Sequence, residues 1–300
     1  MSRAKLVVVG SSNIDMVVKA ERIPQSGETL LGDEFLMVAG GKGANQAVCA
    51  GKLGAEVYFV GRIGSDVLGD KSIQSLEDAG VNTKYLTRDP HTPGGVALIT
   101  IDKDGHNAIV VAPGANYTLS KNDIDNAKPA IKKCDYVVLQ LEIPWEVVEY
   151  TIKTAKSMGK KVILNPAPIR TLDKDILKLV DVITPNEHEA ADIVGCKVED
   201  LNPEKTAELL AEMGIKNIVI TLGSKGAFVY SDNKGKYIEA KKVKAVDTTA
   251  AGDSFTASLT CGLSEGMDIF EACEFAAKVA SIVVTRMGAQ SSMPDRNEVG

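Results

Sequence analysis

Short, wholly apolar runs that stop at glycine or polar residues constrain the fold of this chain most. Leu6–Val9 is closed by Gly10, and such a run is typical of a strand buried on both faces of a parallel sheet. Similar runs recur at 57–60, 136–139, 161–164, 182–184 and 218–221. Helical patterns lie between them at 68–79, 145–158 and 205–213, and each is followed by a glycine. This alternation predicts an α/β fold, a three-layer sandwich with a mainly parallel sheet between helices.

Two segments interrupt the alternation. Residues 14–38 lack an apolar stripe of helix length, and residues 94–111 contain two short β runs around a turn at 102–105. We expect these inserts, at about 13–38 and 94–111, to form a small antiparallel sheet that covers a single domain spanning residues 1–300. A further hairpin is expected at 227–240, and helices at 252–262 and about 269–286.

Composition excludes several classes of protein. The 300 residues are 44% hydrophobic and 25% charged, which is typical of a globular protein and not of disorder, collagen or a coiled coil. The net charge of −6 and the aromatic content of 5% give no basic field or stacking platform for nucleic acid or an anionic membrane. The five cysteines include no C-x-x-C pair, so we expect them to be reduced, buried thiols. No apolar stretch approaches the ~20 residues of a membrane span. We therefore expect a soluble, cytoplasmic protein with no nucleic-acid or membrane partner.

The strongest chemical signal is the segment 246–255, which enters an apolar helix. Ala250, Ala251 and Gly252 are small enough for backbone N–H groups to approach a ligand, and a helix that begins there offers an anion site. Asp253 would lie beside that anion. A carboxylate in this position suits phosphoryl transfer to an alcohol, because it can take the hydroxyl proton. The alternative is that Asp253 only caps the helix.

Two further segments have polar groups next to glycines or a strand end. Residues 39–47 fail both the P-loop and the G-x-G-x-x-G patterns, but Lys42 and Asn45 near a helix start could bind hydroxyls. Asn13 and Asp15 follow the first strand and point the same way in an extended chain, which suits vicinal hydroxyls. The structural alternative for residues 39–47 is a tight turn with a solvated lysine. The structural alternative for Asn13 and Asp15 is an Asx turn.

Polar residues also follow the predicted strands at 182–184 and 218–221. Asn186 and Glu189 share a helix face, and their oxygens suit Mg²⁺ better than a transition metal. The alternative is a helix cap at Asn186 with surface acids. The segment 221–226 could bind phosphate or ribose through a hydroxyl and backbone groups, but alone it indicates only a loop.

Taken in order, these segments resemble the PfkB carbohydrate kinase family over nearly the whole chain. The matching segments are Ser-Ser-Asn-Ile-Asp at 11–15, Gly-Gly-Lys-Gly-Ala-Asn-Gln-Ala at 40–47, Leu-Asn-Pro-Ala-Pro at 164–168, Ile-Thr-Pro-Asn-Glu at 183–187, Ile-Thr-Leu-Gly-Ser-Lys-Gly at 220–226, Asp-Thr-Thr-Ala-Ala-Gly-Asp at 247–253 and Thr-Arg-Met-Gly-Ala-Gln at 285–290. Any one is weak, whereas seven in order are highly specific.

The resemblance implies ATP-dependent phosphorylation of D-ribose at its 5-hydroxyl, giving ribose 5-phosphate. It implies that Asp253 is the catalytic base and that Ala250, Ala251 and Gly252 form an anion hole. The implied sugar ligands are Asn13, Asp15, Gly41, Lys42, Asn45, Glu142 and Asp253. The implied nucleotide ligands are Asn186, Thr221, Gly223, Ser224 and Gly252, with Glu189 associated with Mg²⁺.

The same resemblance implies a potassium-like monovalent cation, which has no sequence signature of its own. Its ligands would be Asp247, Thr249, Val283, Arg286, Gly288 and Ser292, with all but Asp247 and Ser292 contributing backbone groups. The resemblance also implies a β-sheet lid and a homodimer formed through it. The family pattern has a further short helix at this end, and we expect the chain to depart from it, because the chain stops soon after Met293-Pro294-Asp295.

Two other functions stay open from the sequence. One is a sister kinase that acts on deoxyribose, fructose or a nucleoside. The other is a sugar sensor without catalysis, against which the retained Asp253 and its small-residue loop argue.

Overall fold

The computed structural model describes residues 3–300, which contain two β-sheets and helices on both faces of the larger one. The strands are β1 Lys5–Val9, β2 Asn13–Lys19, β3 Glu34–Gly40, β4 Glu56–Gly64, β5 Asn82–Asp89, β6 Gly95–Ile101, β7 Asn107–Ala112, β8 Tyr136–Leu139, β9 Lys161–Leu164, β10 Val182–Ile183, β11 Asn217–Thr221, β12 Ala227–Ser231 and β13 Lys234–Ile238. The α-helices are α1 Lys42–Lys52, α2 Val67–Asp78, α3 Lys121–Ile131, α4 Trp145–Ser157, α5 Lys174–Leu177, α6 Glu187–Val194, α7 Pro203–Glu212, α8 Ala251–Ser264, α9 Ile269–Val283 and α10 Arg296–Val299.

The larger sheet is mainly parallel, as the sequence predicts. Within residues 3–300 it has nine strands in the order β13-β12-β11-β10-β9-β8-β1-β4-β5. Only the β11–β12 and β12–β13 pairs are antiparallel. The β12–β13 hairpin turns at Asp232 and Asn233, whose positive φ angles of 50° and 58° suit a two-residue hairpin turn.

The strands are apolar on both sides because the sheet separates two cores. Leu6 and Val8 of β1 pack into one core with α1, α8 and α9. Val7 and Val9 point to the opposite face and pack with α3, α4 and α7. Successive side chains of a strand alternate in direction, so a run without polar residues fills both cores at once. The result is the predicted three-layer α/β/α architecture.

The two inserts form a separate four-stranded sheet in the order β3-β2-β6-β7. The expectation that it is wholly antiparallel is wrong, because β2 and β6 pair in parallel from Asn13–Gly95 to Lys19–Ile101. The reason lies in the larger sheet. β2 follows β1 and β6 follows β5, and these two strands end at the same edge. Both inserts therefore leave that edge in the same direction.

The described residues also bear on the expectations about the C-terminal helix, membrane crossing and the cysteines. The expected departure from the family pattern after Asp295 is wrong, because a short helix, α10, follows that residue. Among residues 3–300, no helix has the length and apolar composition that a membrane crossing requires. Cys196 is exposed, whereas the other four cysteines are buried as free thiols.

Candidate active site

One edge of the large sheet collects the polar segments. β1, β8, β9, β10 and β11 are mutually parallel, so the residues that follow their carboxyl ends meet there. A cleft of about 210 Å³ opens at this edge. It is lined by Lys42, Asn165, Ala167, Thr184, Asn186, Glu189, Thr221, Thr248, Ala250, Ala251, Gly252 and Asp253. The helices α1 and α8 both begin beside it.

Asp253 lies in the first turn of α8 but does not cap it. The residue at the N-cap is Ala250, and no side chain caps the helix. The Asp253 carboxylate is only 6% exposed. Its Oδ2 accepts a hydrogen bond from Asn45 Nδ2 at 2.9 Å, and its Oδ1 accepts one from Gln46 Nε2 at 3.3 Å. The carboxylate is thus held by α1 across the cleft, and the capping alternative is wrong.

The backbone before Asp253 is arranged around open space. Ala250 has a left-handed conformation with φ 59°, which is uncommon for a residue other than glycine. Across residues 3–300, the backbone N–H groups of Gly252 and Asp253 donate no hydrogen bond, whereas the Ala251 N–H donates to the Thr248 carbonyl at 3.2 Å. Among residues 3–300, a Cβ built on Gly252 would meet no atom within 4 Å other than those of its own helical turn. These free N–H groups and the N-terminus of α8 can bind an anion.

Lys42, the first residue of α1, is the positive centre of the cleft. Burial favours its neutral amine, but the carboxylates of Asp253, Glu142, Glu189 and Asp15 outweigh burial and raise the pKa of Lys42. The lysine is therefore a charged ammonium. Burial raises the pKa of Asp253, while Lys42 and the donors Asn45 and Gln46 act in the opposite direction.

Asn13, Asp15, Gly41 and Glu142 lie where the small sheet joins the large one. Glu142 Oε2 accepts hydrogen bonds from Ser11 Oγ at 2.5 Å and from the backbone N–H of Lys42 at 3.0 Å. Gly41 has φ 87°, and a Cβ there would lie 2.7 Å from the Asn13 backbone nitrogen. A side chain at position 41 would thus be both strained and blocked, which explains the glycine.

Asn13 and Asp15 occupy one face of β2. Asn13 Oδ1 accepts a hydrogen bond from Asn116 Nδ2 at 2.7 Å, so the Asn13 amide directs its NH₂ group elsewhere. Burial and the charges of Glu142 and Asp253 raise the pKa of Asp15 to about 6, while Lys42 acts in the opposite direction. The pair presents one donor and one titratable acceptor.

Asn186 and Glu189 confirm the helix-cap interpretation, whereas their suitability for Mg²⁺ stays a prediction. They form a reciprocal cap of α6, in which Asn186 Oδ1 accepts from the Glu189 backbone and Glu189 Oε2 accepts from the Asn186 backbone. Both also line the cleft, and so does Thr221. Gly223 and Ser224 lie in an exposed turn directly after β11 and are not part of the cleft lining. Burial raises the pKa of Glu189.

Of the residues expected around a monovalent cation, Asp247, Thr249 and Gly288 contact one another. Asp247 Oδ1 accepts from the Thr249 backbone N–H at 2.9 Å, and Asp247 Oδ2 accepts from the Gly288 N–H at 2.9 Å. Asp247 thereby joins the segment before α8 to the segment after α9. Val283 ends α9, the Arg286 side chain pairs with Glu298, and Ser292 is buried.

Several polar residues at the site were given no role from the sequence. Ser11 and Gln46 lie inside the segments that carry the resemblance, so their position was the available signal. Asn116, Gln140 and Asn165 follow or adjoin strand ends and are all buried. A buried amide needs hydrogen-bond partners, but the sequence does not show which ones.

Known proteins resemble this chain over nearly its whole length. Residues 3–296 match the family model described as pfkB family carbohydrate kinase. The chain is 41% identical to a ribokinase of Haemophilus influenzae, with 99% of this chain and 97% of the relative covered. It is 38% identical to a deoxyribokinase of Salmonella typhi, with 96% and 95% covered. The structure of an Arabidopsis thaliana ribokinase complexed with ribose and ATP superposes with a TM-score of 0.91 at 35% identity, covering 99% of this chain and 98% of that one.

We predict that the carboxyl group of Asp15 titrates near pH 6 in the free protein. Replacing Lys42 by Met removes the one positive charge that lowers the pKa of Asp15, so that pKa should rise further. NMR titration of the Asp15 carboxyl carbon in both proteins measures the change. The Asp247 carboxyl, whose pKa is lowered by hydrogen bonds from Thr249 and Gly288 despite partial burial, serves as the internal control. An Asp15 pKa near 4 in both proteins contradicts the prediction.

Proposed function

The chain belongs to the PfkB family of carbohydrate kinases, and on that premise we propose that it transfers the γ-phosphoryl group of ATP to the 5-hydroxyl of D-ribose. The observation that carries the proposal is the Asp253 carboxylate, buried at the cleft next to the free N–H groups of α8. The ribokinase of Haemophilus influenzae and the Arabidopsis thaliana ribokinase complexed with ribose and ATP support the choice of substrates.

In this mechanism, Asp253 accepts the proton of the 5-hydroxyl as its oxygen attacks the γ-phosphorus. The bond from that phosphorus to the β–γ bridging oxygen breaks, and ADP leaves. The segment of Ala250, Ala251 and Gly252 lies next to the transferring phosphoryl group, and the free backbone N–H groups of Gly252 and Asp253 donate to its charge. A group that is positioned before the reaction needs no reorganisation as this charge develops.

The sugar is held at the junction of the two sheets. We assign Asn13, Asp15, Gly41, Lys42, Asn45 and Glu142 to its hydroxyls, with Asp253 at the reacting one. Carboxylates accept hydrogen bonds from hydroxyl groups, whereas Lys42 and the amide NH₂ of Asn13 donate them. A sugar with several neighbouring hydroxyls satisfies this mixed set better than an apolar ligand does.

The nucleotide occupies the part of the cleft next to α6 and β11. We assign Asn186, Thr221, Gly223, Ser224 and Gly252 to ATP. Mg²⁺ fits here by the chemistry of the donors, because Glu189 uses Oε2 for capping and keeps Oε1 for a water-mediated contact. When bound with ATP, the ion neutralises phosphate charge.

A monovalent cation such as K⁺ fits the group around Asp247 by the same test. The proposed donors from Asp247, Thr249, Val283, Arg286, Gly288 and Ser292 are all oxygens, with a single carboxylate among them. Such a set suits a large cation of low charge. The ion would balance the Asp247 charge between the segment before α8 and the segment after α9.

A related kinase that acts on deoxyribose is the second candidate. The deoxyribokinase of Salmonella typhi is nearly as similar to this chain as the ribokinase is. A site that donates a hydrogen bond to a hydroxyl discriminates strongly against a sugar that lacks it. Comparing kcat/KM for ribose, deoxyribose, fructose and adenosine by ADP release, with MgATP and K⁺ present, decides between the substrates. Binding of ribose without any turnover would indicate a sensor.

We further propose that the small sheet is a lid through which two copies of the chain pair. Exposed apolar side chains concentrate on it, including Phe35, Leu98, Ile109, Val110 and Val111. Both of its outer strands, β3 and β7, also leave backbone groups unpaired at the sheet edges. A second copy would cover such a surface.

Replacing Asp253 by Asn tests the catalytic assignment. The side chain keeps its size but cannot take the hydroxyl proton, so kcat should fall by about 10²–10⁴. Steady-state ADP release measures kcat, and ribose binding by calorimetry shows whether the cleft is intact. Turnover at the wild-type rate would remove Asp253 from the mechanism.

Replacing Gly252 by Ala tests the anion site separately from stability. Among residues 3–300 the added methyl group meets no atom within 4 Å outside its own helical turn, and alanine is a better helix former than glycine. The free energy of unfolding should therefore stay constant or rise. The methyl group would occupy space next to the phosphoryl group, so kcat should fall by about tenfold or more. Chemical denaturation and ADP release measure the two quantities.

Gly43→Ala is the matched control in another helix. Its added Cβ would lie 2.7 Å from the Ser11 backbone nitrogen, so stability should fall by about 1–3 kcal/mol. Full activity of Gly252→Ala, with Gly43→Ala destabilised, would show that no ligand approaches position 252.

Replacing Val110 by Glu tests the dimer. Val110 is 68% exposed on β7 and lies opposite Leu98, so a charge there should separate the copies with little effect on folding. Light scattering after size-exclusion chromatography measures the mass. Leu209→Glu is the control, because Leu209 is an exposed apolar residue on α7. A monomeric wild-type protein would contradict the proposal.

A further inference from the structure

Each oxygen of the Asp253 carboxylate ends a chain of buried hydrogen bonds. Along the first chain, Gln140 Nε2 donates to Gln46 Oε1 at 2.5 Å, and Gln46 Nε2 donates to Asp253 Oδ1 at 3.3 Å. Gln46 Nε2 also donates to Asn165 Oδ1 at 3.2 Å. Both N–H bonds of the Gln46 amide are therefore used, one of them on the proposed base.

The second chain reaches the other oxygen from a different part of the fold. Ser75 Oγ donates to Gln290 Oε1 at 2.5 Å, and Gln290 Nε2 donates to Asn45 Oδ1 at 3.2 Å. Asn45 Nδ2 then donates to Asp253 Oδ2 at 2.9 Å. This chain joins α2, the segment after α9, α1 and α8.

Both chains have one direction. An ionised carboxylate only accepts hydrogen bonds, so Gln46 and Asn45 must turn their NH₂ groups towards Asp253. Their oxygens then face away and need donors, which Gln140 and Gln290 supply. Gln46, Asn45 and Gln140 are at most 5% exposed, so water does not compete for these groups. Aligned donors of this kind reinforce one another in a buried site.

The hydrogen bonds of the first chain all point towards Asp253, although this arrangement leaves one polar atom without a partner. Within the described residues, Gln140 Oε1 is the buried side-chain atom that lacks a hydrogen bond. Turning the Gln140 amide over would place its oxygen against Gln46 Oε1, and two acceptors would then face each other. The observed orientation thus keeps the hydrogen bonds directed towards Asp253 and leaves Gln140 Oε1 without a donor.

The charged groups around Asp253 do not fix its orientation. Lys42 on α1 attracts the carboxylate, whereas Glu142, Asp15 on β2 and Glu189 on α6 repel negative charge. Burial of Asp253 raises its pKa further above the usual value, and the donors Asn45 and Gln46 lower it. The buried Cys49 thiol has a pKa raised to about 12 and stays neutral. The amide donors are the groups that act on a single carboxylate oxygen each.

We propose that Gln46 is a positioning residue, which holds the Asp253 carboxylate in one orientation through a hydrogen bond that Gln140 aligns. The inference rests on the proposed role of Asp253 as the base. Gln46 contacts neither reactant in this scheme. It keeps Oδ1 and Oδ2 in fixed places, so that a free lone pair faces the hydroxyl to be deprotonated.

Replacing Gln46 by Met tests the role, since methionine fills similar volume without a donor. We expect the plateau kcat to fall by about 10- to 100-fold, because a misplaced reacting group has effects of this size. The KM for ribose should change by less than about twofold, since binding groups are untouched. The acid limb of kcat, followed from pH 5 to 9 with saturating ribose and ATP, should move up by about half a pH unit or more, because a hydrogen bond to the charged form is lost.

Gln140→Met is the second variant and should change kcat and the acid limb in the same direction by less. Its oxygen has no partner, so methionine removes only one hydrogen bond and the variant should fold. Thr151→Val is the control. Its buried hydroxyl donates to the Val147 carbonyl on α4, away from the cleft, and its loss should affect stability but not the acid limb.

The outcomes separate this role from the proposed function. Wild-type kcat and acid limb in both glutamine variants, with Asp253→Asn inactive, would overturn the positioning role and leave the base assignment in place. A rise in KM alone would overturn it as well, because Gln46 would then act on binding. An active Asp253→Asn would overturn both.

Discussion

The site depends on one buried ammonium among four carboxylates. Lys42 faces Asp253, Glu142, Glu189 and Asp15 at the start of α1, and their charges keep it protonated despite burial. Each carboxylate alone would be costly in this place, since burial disfavours the charged form. Lys42 offsets only part of that cost, so the cleft stays negative. A nucleoside triphosphate would be repelled by such a cleft unless cations accompany it and backbone N–H groups receive it. The free backbone N–H groups at the start of α8 and the proposed Mg²⁺ near Glu189 would meet this requirement.

Much of the fold was predictable because its signals are local. The wholly apolar run at β1 fills two cores at once, and the glycines after α2, α4 and α7 mark the helix ends. The direction of β2 against β6 was not predictable from their own residues. Hairpin signals describe neighbouring strands, whereas this pair joins residues about eighty positions apart and takes its direction from the larger sheet. The residues at 94–111 therefore do not show in which direction β6 pairs with β2.

The site shows the same division between local and distant information. Small residues at 250–252 and an acid in the first turn of α8 could be predicted from the sequence. Whether Asp253 caps its helix or serves the cleft depends on Asn45, which lies 208 residues away. The roles of Gln46 and Gln140 could not be predicted for the same reason, because the role of an amide side chain depends on its hydrogen-bond partners. Neither the parallel chains of donors nor the unpartnered Gln140 oxygen can be inferred from residue types and spacing.

The position of Asn13 and Asp15 links the small sheet to the chemistry. Ser12 is anchored, because its backbone N–H donates to Asn116 Oδ1 at 2.9 Å. Asn13 is held by the same Asn116 side chain and is the first residue of β2. Asp15 lies two residues further, inside the small sheet. Asn13 and Asp15 both pair within the small sheet, so a change in the angle between the two sheets would shift Asp15 relative to Lys42 and Asp253. Since the pKa of Asp15 depends on these charges, its titration reports the position of the sheet as well as the ligands it meets.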